Sequence, residues 1–297
     1  DHLFVADAQV AIAAGSSLTG VANVNDVAIT GTNGPDQVGI QLTSVPAGAT
    51  VNLFNMRVHD AGRGFWVDGG AADVNFQGQI IQNGSSLESV LVQNASGGTI
   101  NFNQELDTLA TPYARNTLVE LLEYGIFDTD SLAASPINVS LNTDTAVNVG
   151  RTGIATPSQR GVAVQANVNS QITFTDLSVE LAGAEAFVTQ SNDASSVLTI
   201  GPTSTLSSAS TTLPAFAGND DAIMSVELAS LESEVAAGTN QAVVLQGGAQ
   251  GTFTITDSFT VSGTPGTVAD DVKNTTTGPV TVTVPGVPLT VKESVIV

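Results

Sequence analysis

The densest group of chemically capable side chains in this sequence lies within ten residues, between His59 and Asp68. It holds two carboxylates, Asp60 and Asp68, together with Arg63 and Trp66. Carboxylate oxygens are the ligands that Ca2+ prefers, and a charged side chain beside them can transfer a proton as a general acid or base. A solvated turn has the same composition, and we favour that interpretation over a catalytic one.

Hydrolysis of a glycosidic bond needs two carboxyl groups that face each other across a sugar. Carboxylates are also the side chains that keep an acidic chain soluble, and we favour this role for the available groups. The carboxylates considered for hydrolysis are Asp68, Asp73, Glu88 and Asp107, and further along the chain Asp176, Glu180 and Glu185.

Pairs of aspartates are the remaining candidates for metal ligands. None of them matches an EF-hand loop or a glycine-rich calcium repeat, so acidic turns are favoured and Ca2+ is the one ion considered. Zinc sites built from cysteine and histidine are excluded, because the chain has no cysteine and two histidines. No other cofactor is expected. The weak metal candidates are Asp128, Asp130, Asp220, Asp221, Asp270 and Asp271.

The charge balance limits the partners of the chain. Seven basic residues against 28 acidic ones give a formal net charge of −21. A field of this sign repels phosphate backbones and anionic lipid head groups, so neither nucleic acid nor membrane insertion is expected. Hydrophobic residues make up 42% of the chain and charged residues 12%, a composition that favours a packed core over disorder.

A repeated pattern predicts the elements that position these side chains. An apolar triplet, a polar turn and an alternating strand at 65–76 recur at 90–102, with the triplets 25 residues apart. The same offset leads from Ile40 to the first triplet, and from Val162 to Phe187. Periods of this length are typical of solenoids, in which one coil cannot bury its apolar face alone and stacked coils form a continuous core.

Stacked coils place like residues on like, so buried rings and turn amides are expected to form rows. The core aromatic residues predicted on this basis are Phe54, Phe76, Phe102 and Phe174, and the predicted turn or ladder asparagines are Asn94 and Asn167.

One domain over residues 1–297 is expected. Leucines at helical spacing without an internal glycine predict a short helical insertion near 112–124. The segment 220–237 fits both a strand and a helix, and the sequence leaves that choice open. The expected parts are an N-terminal cap or first coils at 1–35, coils at 36–285 with insertions near 112–124 and 207–238, and a C-terminal strand or cap at 286–297.

Copies of the form Gly-apolar-x-apolar-x-Asn, a turn, then Gly/Ser-x-Ile-x-Phe-x-x-x-Leu cover most of 36–200 and 240–285. They resemble the coils of right-handed parallel β-helices, as in the pectin-lyase-like superfamily and the haemagglutinin-type surface repeats of bacteria. The resemblance implies an all-β, single-stranded right-handed parallel β-helix. For an enzyme of this kind, it implies Arg63 as the base beside Asp60 and Asp68, with Trp66 as a weak substrate-binding candidate.

The resemblance is compatible with several functions, because the same fold carries enzymes and adhesins. We expect a non-enzymatic structural or adhesive protein, extracellular or at the cell surface in its mature form, that self-associates into a filament or lattice or binds other surface components. The alternative is a lyase, a glycoside hydrolase or a sugar-binding β-helix acting on an extracellular polysaccharide. One tryptophan and two tyrosines are few for a sugar groove, which counts against this alternative.

Overall fold

Two sets of β-strands alternate along the chain. The computed structural model describes residues 3–32, 34–81, 87–102, 137–140, 146–155, 160–235, 241–261 and 272–284, and these ranges contain no helix. The odd-numbered strands are β1 (Leu3–Ala6), β3 (Val21–Thr30), β5 (Thr50–His59), β7 (Asp73–Ile81), β9 (Thr99–Phe102), β11 (Ala146–Ala155), β13 (Gln171–Ala182), β15 (Val197–Ser208), β17 (Ile223–Ser233), β19 (Gln250–Val261) and β21 (Val280–Thr283). The even-numbered strands are β2 (Val10–Ala14), β4 (Val38–Val45), β6 (Arg63–Gly70), β8 (Val90–Gln93), β10 (Ile137–Ser140), β12 (Val162–Gln165), β14 (Phe187–Gln190), β16 (Phe216–Asn219), β18 (Val243–Gln246) and β20 (Val272–Asn274).

The strands form two parallel sheets that wind together as a β-solenoid. The odd-numbered strands make an eleven-stranded sheet in chain order, and the even-numbered strands make a ten-stranded sheet in the same order. Each strand therefore pairs with the equivalent strand one coil earlier and one coil later. Phe65 pairs with Ile40 on one side and with Val90 on the other, which confirms the 25-residue offset that the sequence predicts.

Aromatic rings fill the interior as rows. Phe76, Phe102 and Phe174 are fully buried, as predicted. Phe54 is a correction, because its side chain is half-buried and the row position one coil before Phe76 belongs to Leu53. Adjacent residues of a strand point to opposite faces, so only one of these two neighbours can enter the core.

The even-numbered strands add their own aromatic row. The rings of Phe187 and Phe216 stack with their centroids 5.4 Å apart, and Phe216 meets Phe253 of the odd-numbered sheet edge-on at 4.8 Å. Earlier in the chain, Phe65 contacts Phe76 edge-on at 5.3 Å. The rings thus join the two sheets across the core.

Single residues turn the chain within the long strands. Asp26 in β3 and Asn55 in β5 both have a left-handed backbone, with φ of 59° and 55°. Aspartate and asparagine tolerate this conformation better than other non-glycine residues. The Asn55 Nδ2 donates to Asp26 Oδ1 at 2.6 Å, so the bend in one coil is tied to the bend in the next.

The structure modifies the predicted parts of the domain. Residues 216–219 and 223–233, inside the insertion expected near 207–238, form β16 and β17 and pair with strands on both sides. Buried and exposed side chains alternate from Ile223 to Leu228, and this two-residue period settles the strand over the helix. Residues 1–35 contribute the first coils through β1, β2 and β3. The helix predicted at 112–124 and the terminal segment at 286–297 lie outside the described residues.

The stacked phenylalanine rings predict a large contribution of Phe216 to stability. Replacing Phe216, which is fully buried between two rings, with alanine is expected to lower the free energy of unfolding by about 3–5 kcal/mol, because the cavity cannot close between stacked coils. Urea denaturation followed by circular dichroism measures the change. Leu213→Ala is the matched control, since Leu213 is 40% exposed on the preceding loop and should shift stability by less than about 0.5 kcal/mol. Equal losses in the two variants would contradict the assignment.

Candidate functional site

Two of the predicted site residues lie together at the start of β6. The Arg63 guanidinium donates to Glu88 Oε2 one coil later, from Nη2 at 2.8 Å and from Nε at 3.2 Å. The same guanidinium lies 4.8 Å from the centroid of the Trp66 ring. Arg63 is therefore held by a carboxylate and an aromatic face at once, which orients it as a bridge between coils.

The two aspartates predicted beside Arg63 have other contacts. His59 Nδ1 lies 3.1 Å from Asp60 Oδ2 at the corner before β6. Asp68 Oδ1 accepts from Asn94 Nδ2 at 2.8 Å, and Asp68 follows Arg63 by five residues along one strand, which is about 16 Å. The structure thus brings Arg63 and Trp66 together and leaves Asp68 near the far end of β6. The catalytic roles of these residues stay predictions.

The arginine contact is repeated once more along the solenoid. Arg160 Nε donates to Glu185 Oε2 at 3.0 Å, again with 25 residues between the partners. Glu185 is 7% exposed, so this carboxylate has exchanged water for the guanidinium. Glu88 and Glu185, considered above for hydrolysis, therefore each join one coil to the previous one.

Two of the six metal candidates lie among the described residues. Asp220 and Asp221 are described, and in the described part of the chain no three histidine or acidic side chains come close enough to hold an ion. Asp221 Oδ1 accepts from the Gly248 amide at 2.8 Å in the next coil. The other four candidates, Asp128, Asp130, Asp270 and Asp271, lie outside the described residues.

A polar row in the interior ends on Asp220. The Asn167 amide group donates to Asn192 Oδ1 at 2.6 Å, which confirms the ladder role predicted for Asn167. Asn192 Nδ2 donates to Asp220 Oδ2 at 2.9 Å, and the Thr189 hydroxyl donates to the same oxygen. Asp220 is 4% exposed, and its Oδ1 has no hydrogen-bond partner among the described atoms. Sequence analysis noticed the aspartate and missed its burial.

Burial raises the pKa of the Asp220 carboxyl, and the hydrogen bonds from Thr189 and Asn192 oppose this shift only in part. An acid whose pKa is higher in the folded state favours folding most when it is protonated. Stability therefore falls as the pH rises from the unfolded-state pKa towards the folded-state pKa, and the loss persists above it.

Asp220→Asn removes this charge and is expected to raise the urea midpoint of unfolding at pH 7. At pH values below the unfolded-state pKa the gain should shrink, because the wild-type carboxyl is then protonated in both states. Parallel denaturation series at pH 3 and pH 7 make the measurement. Asp257→Asn is the matched control at an exposed position of β19, because the Asp221 carboxylate beside Asp220 itself helps to raise the Asp220 pKa. A wild-type protein that gains stability between pH 4 and pH 7 relative to Asp220→Asn would refute this account.

A second polar row lies on the outer face of the odd-numbered sheet, and we call it the outer column. Every strand of that sheet from β3 to β21 contributes one residue to it, in direct register. All of these residues are asparagine, threonine or serine, and each comes before the register shifts that occur later in the strands. The members are Asn23, Asn52, Asn75, Asn101, Asn148, Thr173, Thr199, Ser225, Thr252 and Thr281.

The first half of the outer column is an asparagine ladder. Asn52 Nδ2 donates to Asn23 Oδ1 at 2.8 Å, Asn75 donates to Asn52 at 2.9 Å, and Asn101 donates to Asn75 at 2.9 Å. The partners are 29, 23 and 26 residues apart in the chain, so coils of unequal length still keep the row straight. Stacked amides of this kind stabilise parallel strands.

The second half of the outer column carries hydroxyl groups. Ser225, Thr252 and Thr281 are exposed, and Thr173 and Thr199 are half-buried. The sequence contained a signal for the whole column, because Asn75, Asn101 and Thr173 each stand directly before an inward phenylalanine. Sequence analysis followed the apolar period and did not consider the residues between the apolar positions.

Comparisons with protein-family models, with curated proteins and with solved structures find no match for this chain. The parallel β-solenoid is consequently defined by strand order and register alone. The described residues include no helix with the length and apolarity needed to cross a membrane.

Proposed function

We propose that this chain is a structural and adhesive β-solenoid of the extracellular space or cell surface, and that the outer column is its contact surface. The observation that carries the proposal is the unbroken register of asparagine, threonine and serine over ten strands. Ten strands at ~4.8 Å per strand give a polar row about 43 Å long. Such a row suits an extended or repetitive partner better than a small molecule enclosed in a pocket.

Two further observations support a non-enzymatic role. Arg63, the base that the pectin-lyase-like resemblance implies, donates to Glu88 from Nε and Nη2 and lies against the Trp66 ring, so two of its three nitrogen atoms are already engaged. Glu88 and Glu185 are each bound to an arginine. The resemblance to haemagglutinin-type surface repeats agrees with adhesion, and self-association into a filament or lattice belongs to the same proposal.

The acidic composition supports the choice of partners. With a formal net charge of −21, the protein as a whole repels anionic polymers, while the outer column itself contains no charged residue. Contact through this column is therefore made with uncharged polar groups. Other surface components and polysaccharides present partners of that chemistry.

The test is co-sedimentation of the full chain with insoluble cellulose, chitin and crosslinked pectate, and with gelatin beads as a protein surface. Adhesion predicts binding to at least one material without release of reducing or unsaturated sugar ends. Thr199→Arg, which inserts a long cation into the outer column, should reduce that binding by about tenfold or more. Gln190→Arg places the same side chain on β14 of the other sheet and should leave it unchanged. Absence of binding to every material, or release of sugar ends, would count against the proposal.

A further inference from the structure

The outer column changes its chemistry halfway along the solenoid, and this change assigns it a ligand. We propose that its second half binds an uncharged polysaccharide chain that runs across the strands, along the solenoid. This inference rests on the proposed adhesive function and names the ligand of the same surface. The residues that make the contact are Thr173, Thr199, Ser225, Thr252 and Thr281.

The asparagine half is closed to a ligand by its own hydrogen bonds. Asn52 and Asn75 each donate to the previous rung and accept from the next one. An amide used in this way would have to give up a hydrogen bond inside the protein before it could bind a sugar. The first half of the outer column therefore acts as a rigid support.

The hydroxyl half is open. Within the described part of the chain, the side chains of Thr199, Ser225 and Thr252 form no hydrogen bond with one another or with other groups. By contrast, the hydroxyl of Thr205, six residues after Thr199 on β15, donates to Ser178 at 3.1 Å. Each open hydroxyl offers one donor and two acceptor lone pairs, the same groups that a sugar hydroxyl offers. One such group stands on every coil, ~4.8 Å from the next.

The surroundings of the open hydroxyls select a neutral polymer. Two residues before them along the strands, the apolar Val197 and Ile223 stand side by side between Gln171 and Gln250, and Ile223 is 42% exposed. Two residues after them lie Glu227 and Thr254, which pair in register. These two apolar side chains beside hydroxyls match a sugar ring, which has an apolar face and a polar edge. Glu227 is the one carboxylate in this row, and its negative charge disfavours an anionic chain.

A polymer is required because each rung is a weak contact in water. A short oligosaccharide reaches one or two hydroxyls, whereas a chain that runs across five coils engages all of them with one loss of translational freedom. Affinity should therefore rise steeply with chain length. The outer column has no aromatic residue to stack on a single sugar, so length is the main source of affinity.

The experiment measures binding of the full chain to cellulose, to soluble cello-oligosaccharides and to pectate. The double variant Thr199→Val and Thr252→Val removes two hydroxyls and keeps the side-chain shape. It should weaken binding to cellulose by about tenfold or more. Thr205→Val, which removes a hydroxyl already bonded to Ser178, should bind as the wild type does. Binding to pectate should be negligible, and oligosaccharides should compete better as they lengthen.

Five results would overturn the inference. Cellulose binding that the double variant retains would remove the hydroxyls from the contact. Binding to pectate that is stronger than binding to cellulose, and that the double variant loses, would give the column an anionic ligand. Thermal hysteresis, the gap between melting and freezing points that a protein bound to ice produces, would give it ice as the ligand if the double variant loses that gap. In these last two cases, and if the double variant lost binding to gelatin instead, adhesion through the outer column would survive while the polysaccharide assignment failed. Binding to none of these materials would refute both.

Discussion

Parallel register is the constraint on which the whole molecule depends. Where two strands are in register, each residue has an equivalent neighbour one coil away at ~4.8 Å. Each side chain must therefore pack against the side chains at the same position in the previous and the next coil. Inside, the constraint produces rows of rings such as Phe187 on Phe216. Buried polar groups follow the same rule, and Asn167 donates to Asn192 at the equivalent place in the next coil.

The segments outside the aligned rows accommodate the differences in coil length. Ladder partners are separated by 23 to 29 residues, yet the rungs remain aligned, so differences in coil length are accommodated in the turns and in the register shifts later in the long strands. Where a long strand passes close to the next corner, only a small residue fits. A side chain on Gly39 would overlap Val58, and one on Gly161 would overlap Val179. The outer column therefore stays in register although the coils differ in length.

Sequence analysis could find the period because core burial imposes it, and it predicted Phe76 and Phe102 correctly for that reason. It misassigned Phe54, since Leu53 and Phe54 are both apolar and only register with β7 decides between them. It missed the link from Arg63 to Glu88 and from Arg160 to Glu185, although both pairs lie one period apart. Opposite charges at the repeat distance were a usable signal. Burial of Asp220 depends on the path of one corner and left no such signal.

Register also explains how so acidic a chain keeps a neutral outer column. Like charges on adjacent strands would repel at ~4.8 Å, so a carboxylate needs neutral or basic neighbours above and below. Glu232 stands between Ser207 and Thr260, and Asp68 stands between Thr43 and Gln93. Among the described register pairs, no carboxylate faces another carboxylate. An unbroken row through ten strands can therefore not be acidic, and amides and hydroxyls are the polar groups that remain for it.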